Sequence, residues 1–245
     1  MNSTYKYLKE EAYEANLQLP EMGLVLFTFG NASAVDRERA VFSIKPSGIP
    51  YAVLKPEDMV VVDFESQVIE GEMRPSSDTK THALLYKHWK SIKGIAHTHS
   101  TYATGWAQAQ IDIPILGTTH ADHLTVDVPC APVMSDDMIK GDYEFETGRQ
   151  IINVFKDRNI TPEEVPMVIV ANHAPFTWGT SVAQAVYHSA VLEEIAKMAF
   201  ITKTIRSEAP FLTDALRNKH YERKHGMNAY YCLLYTSPSP RDRQK

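Results

Sequence analysis

His97 and His99 stand two residues apart in Ile95-Ala-His-Thr-His, and His173 stands in Val170-Ala-Asn-His-Ala-Pro. On a strand, residues i and i+2 face the same way, so the first pair can present two imidazoles to one point while the third arrives from a later strand end. Three imidazoles completed by a carboxylate or water suit zinc, and manganese, iron or cobalt accept similar donors. Asp78 falls where a predicted helix meets a polar turn, which makes it the candidate carboxylate. The plainer alternative is a set of exposed or structurally bonded histidines. His82, His88 and His188 fall inside predicted helices and read as ordinary packed or surface residues.

A second chemistry comes from three polar turns, Gly30-Asn31, Lys45-Pro-Ser47-Gly48 and Ser76-Ser77. If they converge, backbone N–H groups at Gly48 and at the helix start after Ser77 can bind the oxygens of a small anion. Ser47 and Ser76 add hydroxyl donors and Lys45 adds charge. None is a phosphate-binding loop of known pattern. Taken singly, Asn31 and Gly48 serve turn geometry and Ser77 serves as a helix cap.

The elements that must carry these groups follow from periodicity. Leu8, Ala12, Ala15 and Leu19 recur at helical spacing, and Pro20 with Gly23 closes that helix. Leu24 to Phe29 and Ala40 to Lys45 read as neighbouring antiparallel strands joined by the polar stretch from Gly30, and Met59 to Phe64 as a third. Pro75-Ser-Ser-Asp-Thr predicts a helix entry, with Ser and Asp side chains accepting from first-turn N–H groups. The next strand runs from Ile92 to about His97. Ile111 to Ile115 and Leu124 to Pro129 read as short strands, Thr147 to Arg158 as a helix and Pro166 to Ala171 as a buried strand. Ser181 with Gln184 opens a long apolar helix, and a shorter helix runs from Phe211 to about His225. Met22, Met59, Met138, Met167 and Met198 read as core filler. Strands and helices mix without a regular βαβ repeat, so the expected fold is α/β: a layered αβα single domain with a largely antiparallel central sheet.

Composition narrows the class. The 245 residues are enough for one sizeable core at 44% hydrophobic content, and the 25 basic against 30 acidic residues give a net charge of -5. No basic field exists to neutralise a phosphate backbone, so nucleic acid is excluded as an expected partner. No apolar stretch approaches membrane-spanning length, and the amino end lacks the apolar core of a secretory leader. Cys130 and Cys232 are too few for a disulfide framework. A cytoplasmic location is expected. The polar, turn-rich run 232–245 departs from the patterned region before it, so the domain is expected to span 1–231 and the remainder to be a foreign, disordered tail.

Taken together, Thr28-Phe-Gly-Asn-Ala-Ser, Lys45-Pro-Ser-Gly, Pro75-Ser-Ser-Asp-Thr, Ala96-His-Thr-His-Ser, Gly117-Thr-Thr-His-Ala-Asp, Asn172-His-Ala-Pro-Phe and Lys219-His-Tyr-Glu-Arg-Lys-His-Gly resemble the class II aldolase/adducin-like family from about Tyr7 to Tyr231. The ordered set is far more specific than the histidine pair alone. The resemblance implies Zn²⁺, or Mn²⁺ or Co²⁺, bound by His97, His99 and His173 with Asp78 at or near the ion. It implies phosphate binding by Asn31, Lys45, Ser47, Gly48, Ser76 and Ser77. Asp122 and Tyr231 match the acid/base pair of the family's epimerases, and His220 and Arg223 match supporting positions. The family's aldolases usually carry glutamate where this chain has Asp78, which favours the epimerase branch. The implied activity is C4 epimerisation of the phosphorylated pentulose L-ribulose 5-phosphate to D-xylulose 5-phosphate by cleavage and re-formation of C3–C4. The implied assembly is a homotetramer with sites between subunits. The alternatives are an aldolase acting on a phosphorylated ketose and a noncatalytic adducin-like module.

Overall fold

A computed structural model of the chain describes residues 3–227 and 229; Tyr231 and the expected tail 232–245 lie outside the described residues. Among the described residues, eight strands form one sheet: β1 (Asn31–Asp36), β2 (Val41–Ile44), β3 (Val60–Asp63), β4 (Val68–Glu70), β5 (Gly94–His97), β6 (Cys130–Ala131), β7 (Met167–Val170) and β8 (Pro175–Gly179). Their order is β4-β3-β2-β1-β5-β8-β7-β6. Every pairing is antiparallel except β6 with β7. The helices are α1 (Lys6–Glu21), α2 (Thr79–His88), α3 (Thr101–Ala109), α4 (Thr118–Ala121), α5 (Asp136–Lys140), α6 (Tyr143–Asp157), α7 (Val182–Ile205) and α8 (Asp214–His225). The layered, largely antiparallel α/β domain expected from the sequence is the observed one. No helix among the described residues is long and apolar enough to cross a membrane.

The period-two alternation of the central strands sorts side chains between the layers. Ala32, Ala34 and Ala96 face a cluster with Ala12, Ala15 and Leu19 of α1 and Val182 and Val186 of α7. Phe42, Ile44, Val62 and Ile95 face the other way, into a larger cluster with Leu85 and Tyr86 of α2 and Ile151 and Phe155 of α6. Ser33 shares that second face, bonded to Tyr86 and His82 of α2 at 2.8 and 2.7 Å. Asn31 and His97, each two residues along from Ser33 or Ile95, therefore project toward α2 as well, and they are direct partners in the β1–β5 register. Small residues let the helices lie close. A Cβ on Gly94 would come within 2.2 Å of the Val182 Cα at the start of α7.

Four local expectations are overturned. The apolar run Leu24 to Phe29 is not a strand, and β1 is the polar stretch that follows it. Positive φ at Gly23, Phe27 and Gly30 breaks the pleat there. Leu24 and Val25 plug the core while Leu26, Phe27 and Phe29 are exposed. The small side chains of Ala32 and Ala34 are what fit beneath α1. Second, Ile111–Ile115 and Leu124–Pro129 share only the bridge Ile113–Val128. Pro114 and Pro129 lack N–H donors, and the Asp112 and Asp127 carboxylates take up the Cys130 and Ile115 N–H groups that a ladder would have used. Third, α6 starts at Tyr143, four residues early, capped by Asp142. Fourth, Met22 and Met198 are surface residues, whereas Met59 and Met167 are fully buried.

Candidate metal centre and anion pocket

His97 ends β5, His99 follows it in the connection to α3, and His173 sits in the turn between β7 and β8. One ligand atom from each lies within 4.8 Å of the other two. Ring centroids are 4.9 Å apart for His97–His99 and for His97–His173, and 5.3 Å for His99–His173. The ring of His97 stacks on Phe176 at 4.1 Å, and its Nδ1 is 2.9 Å from the Pro175 carbonyl. That bond requires Nδ1 to be the donor, so Nε2 is left with its lone pair free.

Burial holds the His97 and His173 imidazoles down to about 3, with neighbouring histidines adding to the effect, and it lowers His99 against the opposing pull of Asp78. All three rings are therefore neutral at pH 7, which is the ligating form. His173 Nδ1 is buried without a hydrogen-bond partner among the described residues. Three neutral imidazoles within one ion's reach, one with an orphaned nitrogen, are the donor set a divalent cation requires.

Asp78 does not cap α2 as the sequence suggested; its side chain makes no cap hydrogen bond. Its Oδ2 instead accepts from Asn31 Nδ2 at 2.6 Å and Ser76 Oγ at 3.4 Å, and stands 4.0 Å from His97 Nε2. The helix entry is held by Thr79 Oγ1 donating to the Ser76 carbonyl and by Ser76 Oγ accepting from Asp78 N–H. The carboxylate is thereby free to face the imidazoles.

The same residues line one cavity of about 350 Å³. Asn31, Lys45, Ser47, Gly48, Ser76, Ser77, Asp78, His97, His99 and His173 all contribute to it. Gly48 has φ +73°, a conformation glycine adopts at no steric cost, and this shapes the turn after Lys45. Burial lowers the Lys45 ammonium to about 8, still cationic at neutral pH. Its Nζ lies 4.7 Å over the Tyr51 ring and 3.5 Å from the Thr28 and Pro46 carbonyls. Asn31 differs from the simple expectation, because its amide donors are already spent on Ser76 and Asp78.

Tyr143 and Glu144, from the start of α6, complete the cavity wall and were missed by sequence reasoning. Burial and the nearby Asp78 and Glu144 carboxylates raise the Tyr143 phenol, which therefore keeps its proton at neutral pH. Their sequence signal is the Asp142 cap ahead of them, whereas the apolar stripe predicts a helix start at Thr147.

Asp122 does not line this cavity. It ends α4 and is held by α8: Arg223 donates to both carboxylate oxygens at 3.0 and 2.7 Å, His220 Nδ1 lies at 2.9 Å and Lys224 Nζ at 3.3 Å. Burial alone would raise this carboxyl, but the hydrogen bonds from Arg223, His220 and Lys224 more than reverse it and keep Asp122 below the ordinary carboxylate range. His220 and Arg223 thus act on Asp122 within one chain, and Tyr231 lies outside the described residues.

A family model described as Class II Aldolase and Adducin N-terminal domain matches residues 10–200. An L-fuculose 1-phosphate aldolase structure is 27% identical, covers 91% of this chain and 97% of its own, and superposes with a TM-score of 0.74. L-fuculose 1-phosphate aldolase from Glaciozyma antarctica PI12 is 17% identical, covering 89% of this chain and 81% of its own, with a TM-score of 0.72. YgbL from Klebsiella pneumoniae is 24% identical, covering 89% and 99%, with a TM-score of 0.68. The last two are evidence of shared fold alone.

Proposed function

The chain belongs to the class II aldolase and adducin N-terminal domain family, and from that membership and its site chemistry we propose that it is a metal-dependent epimerase converting L-ribulose 5-phosphate to D-xylulose 5-phosphate. The observation that carries this reading is the single cavity shared by three neutral imidazoles and by the Lys45-Pro-Ser47-Gly48 and Ser76-Ser77 turns. It offers a cation and an anion anchor a few ångströms apart, which is what a phosphorylated ketose presents in complement.

C4 of such a substrate has no adjacent carbonyl, so its hydroxyl cannot be inverted by simple proton abstraction. Breaking C3–C4 avoids the difficulty. The C4 hydroxyl gives up its proton, C4 becomes an aldehyde, and the C3–C4 electron pair moves toward the C2 carbonyl. The aldehyde then turns its other face, the bond re-forms and the C4 oxygen regains a proton. A divalent cation held by His97, His99 and His173, zinc in this proposal, supplies Lewis-acid stabilisation of the negative charge developing on oxygen.

The chain's own residues do the rest. Gly48 N–H, Ser47 and Ser77 hold the phosphate, with Lys45 supplying charge, so the aldehyde fragment stays in place between the two half-reactions, while Ser76, whose N–H donates to the Lys45 carbonyl and whose hydroxyl donates to Asp78, shapes the turn. Asp78, pinned by Asn31 and Ser76, stays beside the imidazoles. Asp122, kept anionic by Arg223, His220 and Lys224, accepts or returns the C4 hydroxyl proton on one face, and Tyr231 does so on the other. Because Asp122 does not line its own chain's cavity, a neighbouring copy brings it there, in a homotetramer with sites between subunits. This proposal is tested by mixing His97→Asn with Asp122→Asn, each inactive alone. Regained activity after subunit exchange supports shared sites, and none refutes them.

The second reading, an aldolase releasing its aldehyde, is favoured by the 27% identity to an L-fuculose 1-phosphate aldolase. Product analysis with L-ribulose 5-phosphate separates the two. D-Xylulose 5-phosphate with little free glycolaldehyde phosphate supports the epimerase, and accumulating glycolaldehyde phosphate overturns it.

A further inference from the structure

Helix α3 begins at Thr101, two residues after His99, and was not expected from its sequence, which mixes threonines and a mid-helix glycine. The first N–H groups of a helix have no partner within it, and Ser100 at the N-cap does not provide one through its side chain. The partner comes from another helix. The Glu193 carboxylate of α7 accepts from Tyr102 N–H at 2.9 and 3.1 Å and from Ala103 N–H at 2.9 Å. A negative group there also matches the positive end of the helix dipole. Midway along, Trp106 Nε1 donates to the Ala196 carbonyl of the same α7.

The other end of α3 is tied to the third imidazole. Gln110 closes the helix in the left-handed region at φ +60°. Asn172 N–H, one residue before His173, donates to the Ala107 carbonyl at 2.9 Å, and Gln110 Nε2 donates to Asn172 Oδ1 at 3.0 Å. Asn172 is itself left-handed at φ +59°, and His173 N–H returns to the Val170 carbonyl at 2.9 Å. One nine-residue helix thus runs from the stretch that carries His99 to the turn that carries His173. Neither Glu193 nor Gln110 lines the cavity.

The geometry assigns to α3 the role of a strut that sets His99 against His173, with Glu193 and Gln110 as positioning residues for the metal centre. The assignment rests on the reading that the three imidazoles share one ion. A glutamine at 193 keeps one carbonyl acceptor but turns an NH₂ group toward an N–H that needs an acceptor. The helix end is then free to drift, and metal–nitrogen bonds of about 2.0–2.1 Å would tolerate little drift.

The test is Co²⁺ binding to metal-stripped protein, followed by the visible absorption of the bound ion, well below each variant's thermal midpoint. Glu193→Gln is expected to weaken Co²⁺ binding about 10-fold, the lower end of the loss seen when groups supporting metal ligands are removed, and to shift the visible band. The exposed Gln110→Ala should act in the same direction, and it serves alone if Glu193→Gln does not fold. Glu194→Gln, a neighbouring exposed charge, should leave both readouts unchanged. A lowered thermal midpoint with Co²⁺ affinity and spectrum within twofold of wild type would mean that Glu193 only caps a helix, and the assignment fails. Wild-type protein that binds no Co²⁺ would bring down the shared-ion reading itself, an outcome distinct from the first.

Discussion

Replacing Asp122 with asparagine is expected to loosen α8 before it affects anything else in the fold. This helix buries none of its residues, so its docking depends heavily on polar contacts. Asp122 supplies their hub, with two bonds from Arg223, one from His220 and an ion pair with Lys224. Asparagine keeps one acceptor oxygen and presents an NH₂ group where the guanidinium needs another. Hydrogen bonds to charged groups are worth about 1.5–3 kcal/mol each. The side chains of Arg223 and Asp122 are 26% and 12% exposed, so solvent screening favours the low end of that range. A loss of about 2 kcal/mol for the network corresponds to roughly a 30-fold rise in local opening.

Hydrogen–deuterium exchange read peptide by peptide should therefore show α8 amides exchanging about 30 times faster, with α7 amides unchanged. The sign of the pH dependence follows from the lowered Asp122 carboxyl. A carboxyl depressed on folding contributes fully above its unfolded value of about 4 and loses that contribution as pH falls through its folded value. Protection of α8 in the wild type, corrected for intrinsic exchange rates, should accordingly stay flat from neutral pH down to about 5 and fail only in stronger acid. If α8 exchange in the variant stays within threefold of wild type, Asp122 does not hold that helix and the reasoning is wrong.

Gly48→Ala, at φ +73° with open space around a new Cβ, strains only the backbone; an expected cost of about 1 kcal/mol should lower the thermal midpoint by about 2–4 °C, and a turn that relaxes out of this conformation should also raise KM for the phosphorylated substrate. Gly94→Ala places a methyl 2.2 Å from the Val182 backbone, so urea unfolding should show a loss of about 3 kcal/mol or an insoluble protein. His82 is fully buried, bonded to Ser33, and held by burial down to about 3. Folding of its neutral form is favoured above the unfolded value of about 6.5 and progressively opposed below it. Metal-free wild type should therefore lose about 1 kcal/mol more than His82→Gln between pH 7 and 5.5 in urea titrations.

The site proved more legible in the sequence than the elements that carry it. His97, His99 and His173 were found because ligand chemistry restricts residue type and spacing, and the fold then brought them within one ion's reach. The Lys45 and Ser76 turns converged on the same cavity for a similar reason, since proline, serine and glycine mark turns directly. The apolar run Leu24–Phe29 reads as a strand, but Leu24 and Val25 plug the core from a loop while the rest is exposed, and the alanines of β1 form a strand because α1 lies across them. Helix α3 left only the short apolar stripe Ala103, Trp106 and Ala107, and it is held from outside by the Glu193 carboxylate and the Ala196 carbonyl of α7. Tyr143 and Glu144 entered the cavity through a helix start earlier than its apolar stripe suggested. Contacts made between elements distant in sequence are what local patterns do not record.

The most direct measurement is metal content and L-ribulose 5-phosphate epimerisation in the same preparation, for wild type and for His97→Asn. One divalent ion per wild-type chain, with both ion and turnover lost in the variant while the fold persists, is the predicted result. Undiminished metal and full turnover in His97→Asn would contradict the account.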